Sequence, residues 1–403
     1  MRQPLEGIRV LEWGMFHAGP AGTAILGDLG AEVIKIEQPG IGDLSRTSSR
    51  IGSVFLTKTR GLNLFHEAAN RNKKSITLDL SKEQGRKAAY RLVSKSDVFL
   101  CNLRRRAIEG MKMTYPILSS YNPKLIYARV SAFGPKGPDR DRGGFDYQGQ
   151  GRSGMMYSMG EEGMPPIASQ FGIMDQATAI MASHQIITAL LMRERFGVGQ
   201  EVHVSVLSSS LYLLYLNQMF ALVGDFEAPR HQRAKEEATR NHYKAQDGRW
   251  LIITANPNGM SWKPLCEALG QPELADDLRF ATPEARFANR EELVALFDQI
   301  FATRPRDEWL RTFAEYDLIS APVNRLSELA SDPQIVENEY IVDFDHPVLG
   351  KVKIPGYPIH FSESWAGTRS AAPKLGEHTE QVLTEIGGYT AQEVANLRKE
   401  GVI

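Results

Sequence analysis

The fold class is decided near the start of the chain, where GIRVLEW (7–13), AGPAGTAILGDLG (18–30) and AEVIKIE (31–37) follow one another. The first and third segments are short and apolar, as buried strands are, and the second is a glycine-punctuated turn that leads into a helix. This order predicts a βαβ unit with parallel strands. In such sheets, ligands bind at the carboxyl ends of the strands.

The same alternation continues along the chain. Further strands are predicted at SITLDL (75–80), DVFL (97–100), LIYARVSAFG (125–134) and EVHVSVL (201–207). Apolar residues at helical spacing predict a helix over about 173–196, and Gly197 ends it. The predicted fold class is therefore α/β, with a parallel sheet covered by helices on both faces.

The length and a change in composition predict more than one domain. The chain has 403 residues, and domains average roughly 150. Residues 225–248 are polar and charged, which favours a crossing into a second domain at that point. We expect a large domain over 1–224, a small domain over 225–330, and a linker with a C-terminal segment over 331–403.

Composition excludes several classes of function. Lys and Arg total 47 against 48 Asp and Glu, so no bulk charge attracts nucleic acid or an anionic membrane. Cys101 and Cys266 stand far apart with no CxxC motif, which argues against a disulfide framework and a zinc site. With no signal-peptide pattern at the start and no long apolar segment, we expect a cytoplasmic protein.

Familiar cofactor motifs are missing from the sequence. Glu37 ends the second strand as an acidic residue does in many NAD-binding folds, but Gly14, Gly19 and Gly22 do not form GxGxxG. The sequence also lacks GxxxxGK[ST], HExxH and GxSxG. No metal, NAD or flavin is therefore expected.

Two side chains are candidates for chemistry, each with a structural alternative. His17, in FHAGP, could act as an acid or base, or serve only as a hydrogen-bonded structural residue. Asp175 directly precedes an apolar-periodic helix, so local sequence favours an N-cap. A carboxylate with an apolar flank could instead attack a thioester, because a dry pocket strengthens it as a nucleophile.

Three basic clusters follow predicted strand ends or lie in loops between strands. Such clusters are usually solvated faces, but at these positions they would also suit a small phosphorylated ligand. The clusters are Arg71/Lys73/Lys74, Arg104/Arg105/Arg106 and Lys136/Arg140/Arg142.

Taken together, seven segments closely resemble the family III CoA-transferases, from near the first residue to near the last. They are LEGIRVLEW with LGDLGAEVIKIEQPGIGDLSR (5–46), NRNKKSITLDL (70–80), SDVFLCN (96–102), VSAFGPKGP (130–138), the Asp175 segment, RFGVGQEVHVSV (195–206) and APKLGEHTEQVLTEIG (372–387). The family includes formyl-CoA:oxalate and carnitine CoA-transferases, and α-methylacyl-CoA racemases share its fold. The resemblance implies a Rossmann-like large domain built from both chain ends, a smaller inserted domain, and an interlocked-ring homodimer.

The resemblance also implies roles for particular residues. Asp175 matches the nucleophilic aspartate that forms an anhydride and then an aspartyl-CoA thioester, which overrides the N-cap interpretation. His17 lies where these transferases place a residue near the thioester. The residues implied to bind acyl-CoA, the substrate, are Ala18, Gly19, Arg46, Asn72, Lys73, Asn102, Leu103, Arg106 and Lys136.

Two departures from the family pattern bear on function. The sequence has RGGFDYQ where the racemases carry RxGHD, so Phe145 replaces a histidine, and phenylalanine cannot move a proton. Gly110 stands where many relatives have a basic residue, so phosphate binding is expected to fall to Arg104, Arg105 or Arg106. Transfer of CoA is therefore favoured, while a racemase and a subunit of a heteromeric enzyme remain alternatives.

The identity of the substrates stays open. The stretch 145–171 is rich in Met and aromatic residues, which would suit an apolar acyl pocket or equally a core or dimer interface. Asn258 and Gly259 form a possible active-site flap that is less glycine-rich than in the oxalate-specific relatives. Oxalate is therefore an unfavoured acceptor.

Overall fold

The computed structural model describes residues 1–51, 54–56, 60–224, 226–227, 229–254 and 261–403. The chain divides into two compact units. Unit 1 comprises Met1–Met156, Ala168–Glu227 and Glu337–Ile403, and unit 2 comprises Tyr157–Ile167 and Ala228–Val336. The placement of Tyr157–Ile167 in unit 2 was not expected, because its sequence carries no change in composition like that at 225–248.

Strands and helices alternate through the first part of unit 1. In chain order they are β1 (Arg9–Trp13), α1 (Ala18–Asp28), β2 (Glu32–Glu37), a 3-10 turn (Leu44–Arg46), β3 (Arg50–Ile51), β4 (Val54–Phe55), α2 (Leu64–Asn70), β5 (Lys73–Thr77), α3 (Glu83–Val93), β6 (Val98–Cys101), α4 (Arg105–Gly110), α5 (Tyr115–Tyr121), β7 (Ile126–Ser131), α6 (Asp146–Arg152) and α7 (Met155–Ser158). After residue 167 come α8 (Ile173–Phe196), β8 (Gln200–Ser205), α9 (Val206–Leu213) and α10 (Tyr215–Val223).

The remaining elements complete the two units. They are a 3-10 turn (Arg233–Lys235), β9 (Arg240–Lys244), β10 (Trp250–Thr254), α11 (Trp262–Ala268), a 3-10 turn (Pro272–Ala275), α12 (Pro283–Ala288), α13 (Arg290–Phe301), α14 (Arg306–Glu315), β11 (Ser320–Val323), a 3-10 turn (Leu326–Ser331), α15 (Pro333–Glu337), β12 (Ile341–His346), β13 (Gly350–Pro355), α16 (Thr379–Glu385) and α17 (Ala391–Lys399).

Unit 1 is built on a six-stranded sheet with the order β5-β2-β1-β6-β7-β8. Every neighbouring pair in it is parallel. Both faces of the sheet are covered, which suits its apolar central strands: Val98–Cys101, for example, is buried at every position. These observations confirm the predicted α/β class with a parallel sheet. The chain runs outward in opposite directions from β1 and β6, so a topological switch point lies between these two strands.

Two apolar cores lie on the two faces of this sheet. One face packs against α3, α5, α16 and α17, through residues such as Leu92, Leu118, Val382 and Leu397. The other face packs against α1 and α8, through residues such as Leu26 and Ile186.

Helix α8 occupies the predicted range, and apolar residues lie on both its exposed and its buried side. Ile180 and Leu191 are more than half exposed, whereas Met174, Ala182 and Ile186 are fully buried. The buried side packs closely on α1: a Cβ added at Gly22 would lie 2.9 Å from the Cβ of Ala182. The contact needs small residues, so apolar side-chain size is a poor guide to the buried face.

Unit 2 has its own core. Its three-stranded antiparallel sheet, of order β11-β10-β9, packs beside an aromatic cluster that includes Trp262, Phe297, Phe301 and Trp309. Within the part of the chain that the structure describes, no single helix is long and apolar enough to span a membrane. Helices α9 and α10 reach the length and composition of a membrane span only if they are counted as one segment, and they are bent by 76° relative to each other.

Candidate active site

The turn between β1 and α1 lies at the switch point and carries His17. Asn102 directly follows β6, the second strand of the switch point, and forms two hydrogen bonds with this turn. Its Oδ1 accepts from the Met15 N–H at 2.9 Å, and its Nδ2 donates to the Met15 carbonyl at 2.8 Å. Phe16 has a left-handed backbone (φ 62°), an uncommon and strained conformation for such a residue. Its N–H donates to Asp43 Oδ1 at 3.1 Å.

A buried network of charged side chains also contacts this turn. Lys35 Nζ lies 2.6 Å from Glu12 Oε1 and 2.9 Å from Asp43 Oδ2, and it donates to the Gly14 carbonyl at 2.9 Å. Lys73 Nζ donates to Glu12 Oε2 at 2.6 Å and to the Pro20 carbonyl at 2.7 Å. All four charged side chains of this network are almost completely buried.

The lysines of the network stabilise its two carboxylates as anions. Burial opposes ionisation of Asp43, but Lys35 outweighs it and lowers the Asp43 pKa to about 2. Burial likewise opposes the charge of Glu12, yet Lys35 and Lys73 hold its pKa below the ordinary value. For Lys73, burial dominates and lowers the pKa to about 7 despite Glu12.

These contacts alter the interpretation of Lys73 and Asn72 as phosphate- and adenine-binding residues. The Lys73 ammonium donates to Glu12, Pro20 and Asn70, so its three protons all have internal partners. The Asn72 amide donates to Asp28 at 2.7 Å and accepts from the backbone of Arg369 and Ser370. Both side chains stabilise the fold, and neither has a free donor for a ligand.

Arg46 is also engaged internally. Its guanidinium contacts both carboxylate oxygens of Glu37 at 2.7 Å and donates to the Pro373 carbonyl at 3.0 Å. The glutamate that ends the second strand therefore has a structural partner.

Asp175 lies in the first turn of α8, but it is not the N-cap. Gly172 occupies that position with a left-handed backbone, and Asp146 caps the helix instead. The Asp146 carboxylate accepts from the N–H groups of Met174 at 2.6 Å and Asp175 at 3.2 Å. The N-cap interpretation of Asp175 was therefore wrong, because a residue 29 positions earlier in the chain supplies the capping oxygen.

The Asp175 carboxylate is poorly stabilised as an anion. It is partly buried and has no hydrogen-bond partner among the residues that the structure describes. Burial, together with repulsion from Asp146, raises its pKa to about 7. The free N–H groups of a helix N-terminus would favour the anion, but Asp146 already occupies two of them. A carboxylate with this pKa is more basic, and a better nucleophile once ionised, than an ordinary aspartate.

His17 faces the same site from α1. Its Nε2 lies 2.8 Å from Oε1 of Gln176, the residue after Asp175, so this nitrogen carries the proton and donates. The other ring nitrogen, Nδ1, is buried and has no hydrogen-bond partner within the described part of the chain. Burial lowers the His17 pKa, so the ring is neutral at neutral pH.

A cavity of about 190 Å³ at the carboxyl ends of the strands brings several predicted residues together. Its walls include Asp175, His17, Ala18, Asn102 and Leu103. Gly19 lies behind the wall, where a Cβ would come within 3.1 Å of Asn102. Two predicted cations lie elsewhere on the surface: Arg106 beside Arg104 and Arg142, and Lys136 beside Phe133 and His203.

Phe145 is also on the cavity wall, at the N-cap of α6. It is exposed and packs edge to face with Phe16, at 5.8 Å between ring centroids. Asn258 and Gly259, the predicted flap, lie outside the described residues. Across the described ranges, no group of three or more His, Cys, Asp and Glu side chains is arranged to hold a metal ion.

Sequence reasoning missed Asp146 and Gln176. Asp146 directly follows Phe145 in the RGGFDYQ segment, where the sequence differs from the racemase pattern. Its place in that segment could have marked it as a candidate site residue. Gln176 adjoins Asp175, but its contact with His17 spans 159 positions and leaves no local pattern.

The comparisons with known proteins show which family the chain belongs to. The family model described as CoA-transferase family III matches residues 5–379. This chain belongs to that family. It is an enzyme, a CoA-transferase, and the resemblance seen in the sequence is confirmed.

Three relatives illustrate the similarity. The chain is 32% identical over 402 residues to succinyl-CoA:glutarate CoA-transferase of Mus musculus, covering 100% of this chain and 90% of the relative. It is 33% identical over 407 residues to succinyl-CoA–D-citramalate CoA-transferase of Chloroflexus aurantiacus, covering 100% and 98%. The crystal structure of a CAIB/BAIF family protein from Brucella suis superposes with a TM-score of 0.85 at 32% identity, covering 96% of this chain and 100% of that one.

The assignment of Lys73 to the fold gives a testable prediction. We expect Lys73→Met to lower the free energy of unfolding by about 3 kcal/mol or more, because it removes one partner from a buried charge network. Lys74→Met, at a half-buried lysine paired with Glu32, is the matched control and should cost about 1 kcal/mol or less. Urea unfolding measures both. If Lys73→Met kept full stability and lost only CoA affinity, its assignment to phosphate binding would be restored.

Proposed function

We propose that this enzyme moves CoA from an acyl-CoA donor to a carboxylic acid acceptor through covalent intermediates on Asp175. The observation that carries the proposal is the partly buried Asp175 carboxylate, with its raised pKa and no hydrogen-bond partner among the described residues, on the wall of a cavity at the sheet's carboxyl edge. A nucleophile needs this combination of basicity and access.

The proposed reaction runs in four balanced steps. An Asp175 oxygen attacks the thioester carbonyl carbon, the C–S bond breaks, CoA leaves as thiolate, and the acyl group remains on Asp175 as a mixed anhydride. The thiolate then attacks the aspartyl carbonyl, which releases the donor acid and forms an aspartyl-CoA thioester. The acceptor carboxylate attacks that thioester, giving a new anhydride, and the released thiolate attacks the acceptor's carbonyl. Acyl-CoA leaves and the Asp175 carboxylate is restored.

Neighbouring residues have supporting roles in this scheme. No step transfers a proton, so a neutral His17 suits a residue that positions the thioester rather than an acid or base. The cavity-lining residues Ala18, Asn102 and Leu103 would contact the pantetheine arm. Because Phe145 cannot exchange a proton, its place on the wall supports transfer over racemisation.

We also propose dicarboxylic acids as the substrate class. The relatives are named for glutarate, citramalate and oxalate, all of which carry two carboxyl groups. Five arginines on the cavity wall would favour an acyl chain that ends in a second carboxylate. They are Arg104, Arg105, Arg129, Arg140 and Arg142.

A homodimer is proposed for the assembly. Exposed apolar side chains cover α8 and α10, among them Ile180, Leu216, Phe220 and Val223, and α10 buries none of its residues. Apolar patches of this kind are typical of interfaces. A relative named as the alpha subunit of a succinyl-CoA–L-malate CoA-transferase makes a heteromer the alternative.

Covalent trapping tests the nucleophile. Wild-type enzyme incubated briefly with succinyl-CoA, glutaryl-CoA or an aliphatic monoacyl-CoA and then treated with hydroxylamine should be modified at Asp175 in the peptide mass spectrum. We expect Asp175→Asn to lose turnover by about 10³-fold or more. The control is Asp97→Asn, at the opposite end of the sheet, which should retain activity. Turnover in Asp175→Asn, or exchange of the α-hydrogen in heavy water without trapping, would contradict the proposal.

The raised pKa of Asp175 predicts a pH dependence. Only the ionised carboxylate attacks, so kcat/KM for the acyl-CoA donor should rise with pH and level off above an apparent pKa of about 7. Asp146→Asn removes the repelling charge but keeps an oxygen for the helix cap, so the midpoint should move to lower pH. A profile whose midpoint is unchanged in Asp146→Asn would rule out this electrostatic coupling.

Light scattering after gel filtration tests the dimer. The purified chain alone should show twice its 44.9-kDa mass and be active. Leu216→Glu should weaken the dimer, while Leu278→Glu, at an isolated exposed leucine of unit 2, should leave it intact. An active monomer would refute the homodimer, and an inactive chain that needs a second protein would favour the heteromer.

A further inference from the structure

Arg129 is a partly buried cation that forms no ion pair with the residues that the structure describes. It lies near the carboxyl end of β7, between Cys101 of β6 and His203 of β8, and lines the cavity that also holds Asp175. Its Nε is buried and makes no hydrogen bond, and its guanidinium joins no ion pair with any residue in the described ranges. The other buried or half-buried lysines and arginines discussed above, Lys35, Lys73 and Arg46, are all paired.

The two side chains paired with Arg129 across the sheet, Cys101 and His203, carry no negative charge, and Glu201, two positions before His203 on β8, forms no ion pair with Arg129 within the described residues. Cys101 Sγ lies 3.5 Å from the Tyr127 hydroxyl, and burial raises the Cys101 pKa to about 11, so the thiol stays protonated. His203 Nε2 lies 2.8 Å from Ser131 Oγ. Burial, and then Arg129 itself, lowers the His203 pKa to about 4, so this ring is neutral.

The wider cavity wall adds positive charge rather than removing it. Asp141 is already shared by Arg105 at 3.0 Å and Arg140 at 3.3 Å. Arg104 and Arg142 also face the cavity. An exposed arginine keeps its hydration shell, but a partly buried one loses solvation that only a partner can replace.

We propose that Arg129 binds an oxyanion of the substrate, either the carboxylate of the acid or a phosphate of CoA. The inference rests on the proposed function only for the identity of these anions. The planar guanidinium can donate two parallel hydrogen bonds to either group, and the cavity leaves those donors free. A bound anion would offset part of the positive charge of the wall and would accept a hydrogen bond from the buried Nε.

Protection from chemical labelling tests this on the wild-type enzyme, so no variant has to fold. Phenylglyoxal modifies free guanidinium groups, and peptide mass spectrometry reports the modified fraction of Arg129. The probes are succinate, CoA and dephospho-CoA, each titrated separately. Arg195, an exposed arginine at the end of α8, is the internal control and should be labelled equally under all conditions.

The outcomes separate the two anions. Protection by succinate assigns Arg129 to the acid's carboxylate, and protection by CoA but not dephospho-CoA assigns it to the 3′-phosphate. Equal protection by CoA and dephospho-CoA assigns it to the pyrophosphate. Labelling of Arg129 that no probe reduces would overturn the proposal.

Substitution provides the second measurement. We expect Arg129→Met to lower the affinity for the protecting ligand by at least about tenfold in calorimetric titration. Arg129→Lys should recover only part of this affinity, because lysine cannot bind bidentately. Arg195→Met, with the same change in charge, should bind normally. Both measurements report ligand binding and not turnover. They therefore test the role of Arg129 even if Asp175 is not trapped and the proposed covalent route fails.

Discussion

The buried network of Glu12, Lys35, Lys73 and Asp43 is the constraint on which unit 1 depends. It links β1, β2 and β5 to the loop after β2 inside an apolar interior, where an unpaired charge would be very costly. Its donors also end on backbone carbonyls of the turn that carries His17. The network therefore connects the sheet to that turn, and the strained Phe16 backbone persists because the surrounding hydrogen bonds hold it in place.

A second constraint is the close contact between α1 and α8. Gly22 lets the helices approach until a side chain could no longer fit against Ala182. Because His17 begins α1 and Asp175 lies in the first turn of α8, this contact sets the separation of the two candidate groups. The His17 to Gln176 hydrogen bond follows from it. Asp146 then completes the site by taking the helix cap that would otherwise stabilise the Asp175 anion.

The sequence predicted features that depend on local pattern. The parallel strands, the helix over 173–196 and the family resemblance all follow from periodicity and ordered motifs. It did not predict partners that meet only in three dimensions. The family resemblance implies that Asn72 and Lys73 bind CoA, which stays a prediction, but it did not reveal that Lys73 donates to Glu12 and Asn72 to Asp28. Asp175 looked like an N-cap because the true cap, Asp146, is remote in sequence.

The distinction between structural and ligand-binding cations lies in their partners. In a chain with a net charge of −1, clusters of basic residues are weak evidence for a ligand site, because a nearly equal number of acidic residues can neutralise them. Lys35, Lys73 and Arg46 are neutralised within the fold. Arg129 stands alone in its strand and belongs to none of the basic clusters, so no sequence pattern singled it out. Among these four cations, Arg129 alone forms no ion pair within the described residues, and the proposed reaction supplies an anionic substrate that could pair with it.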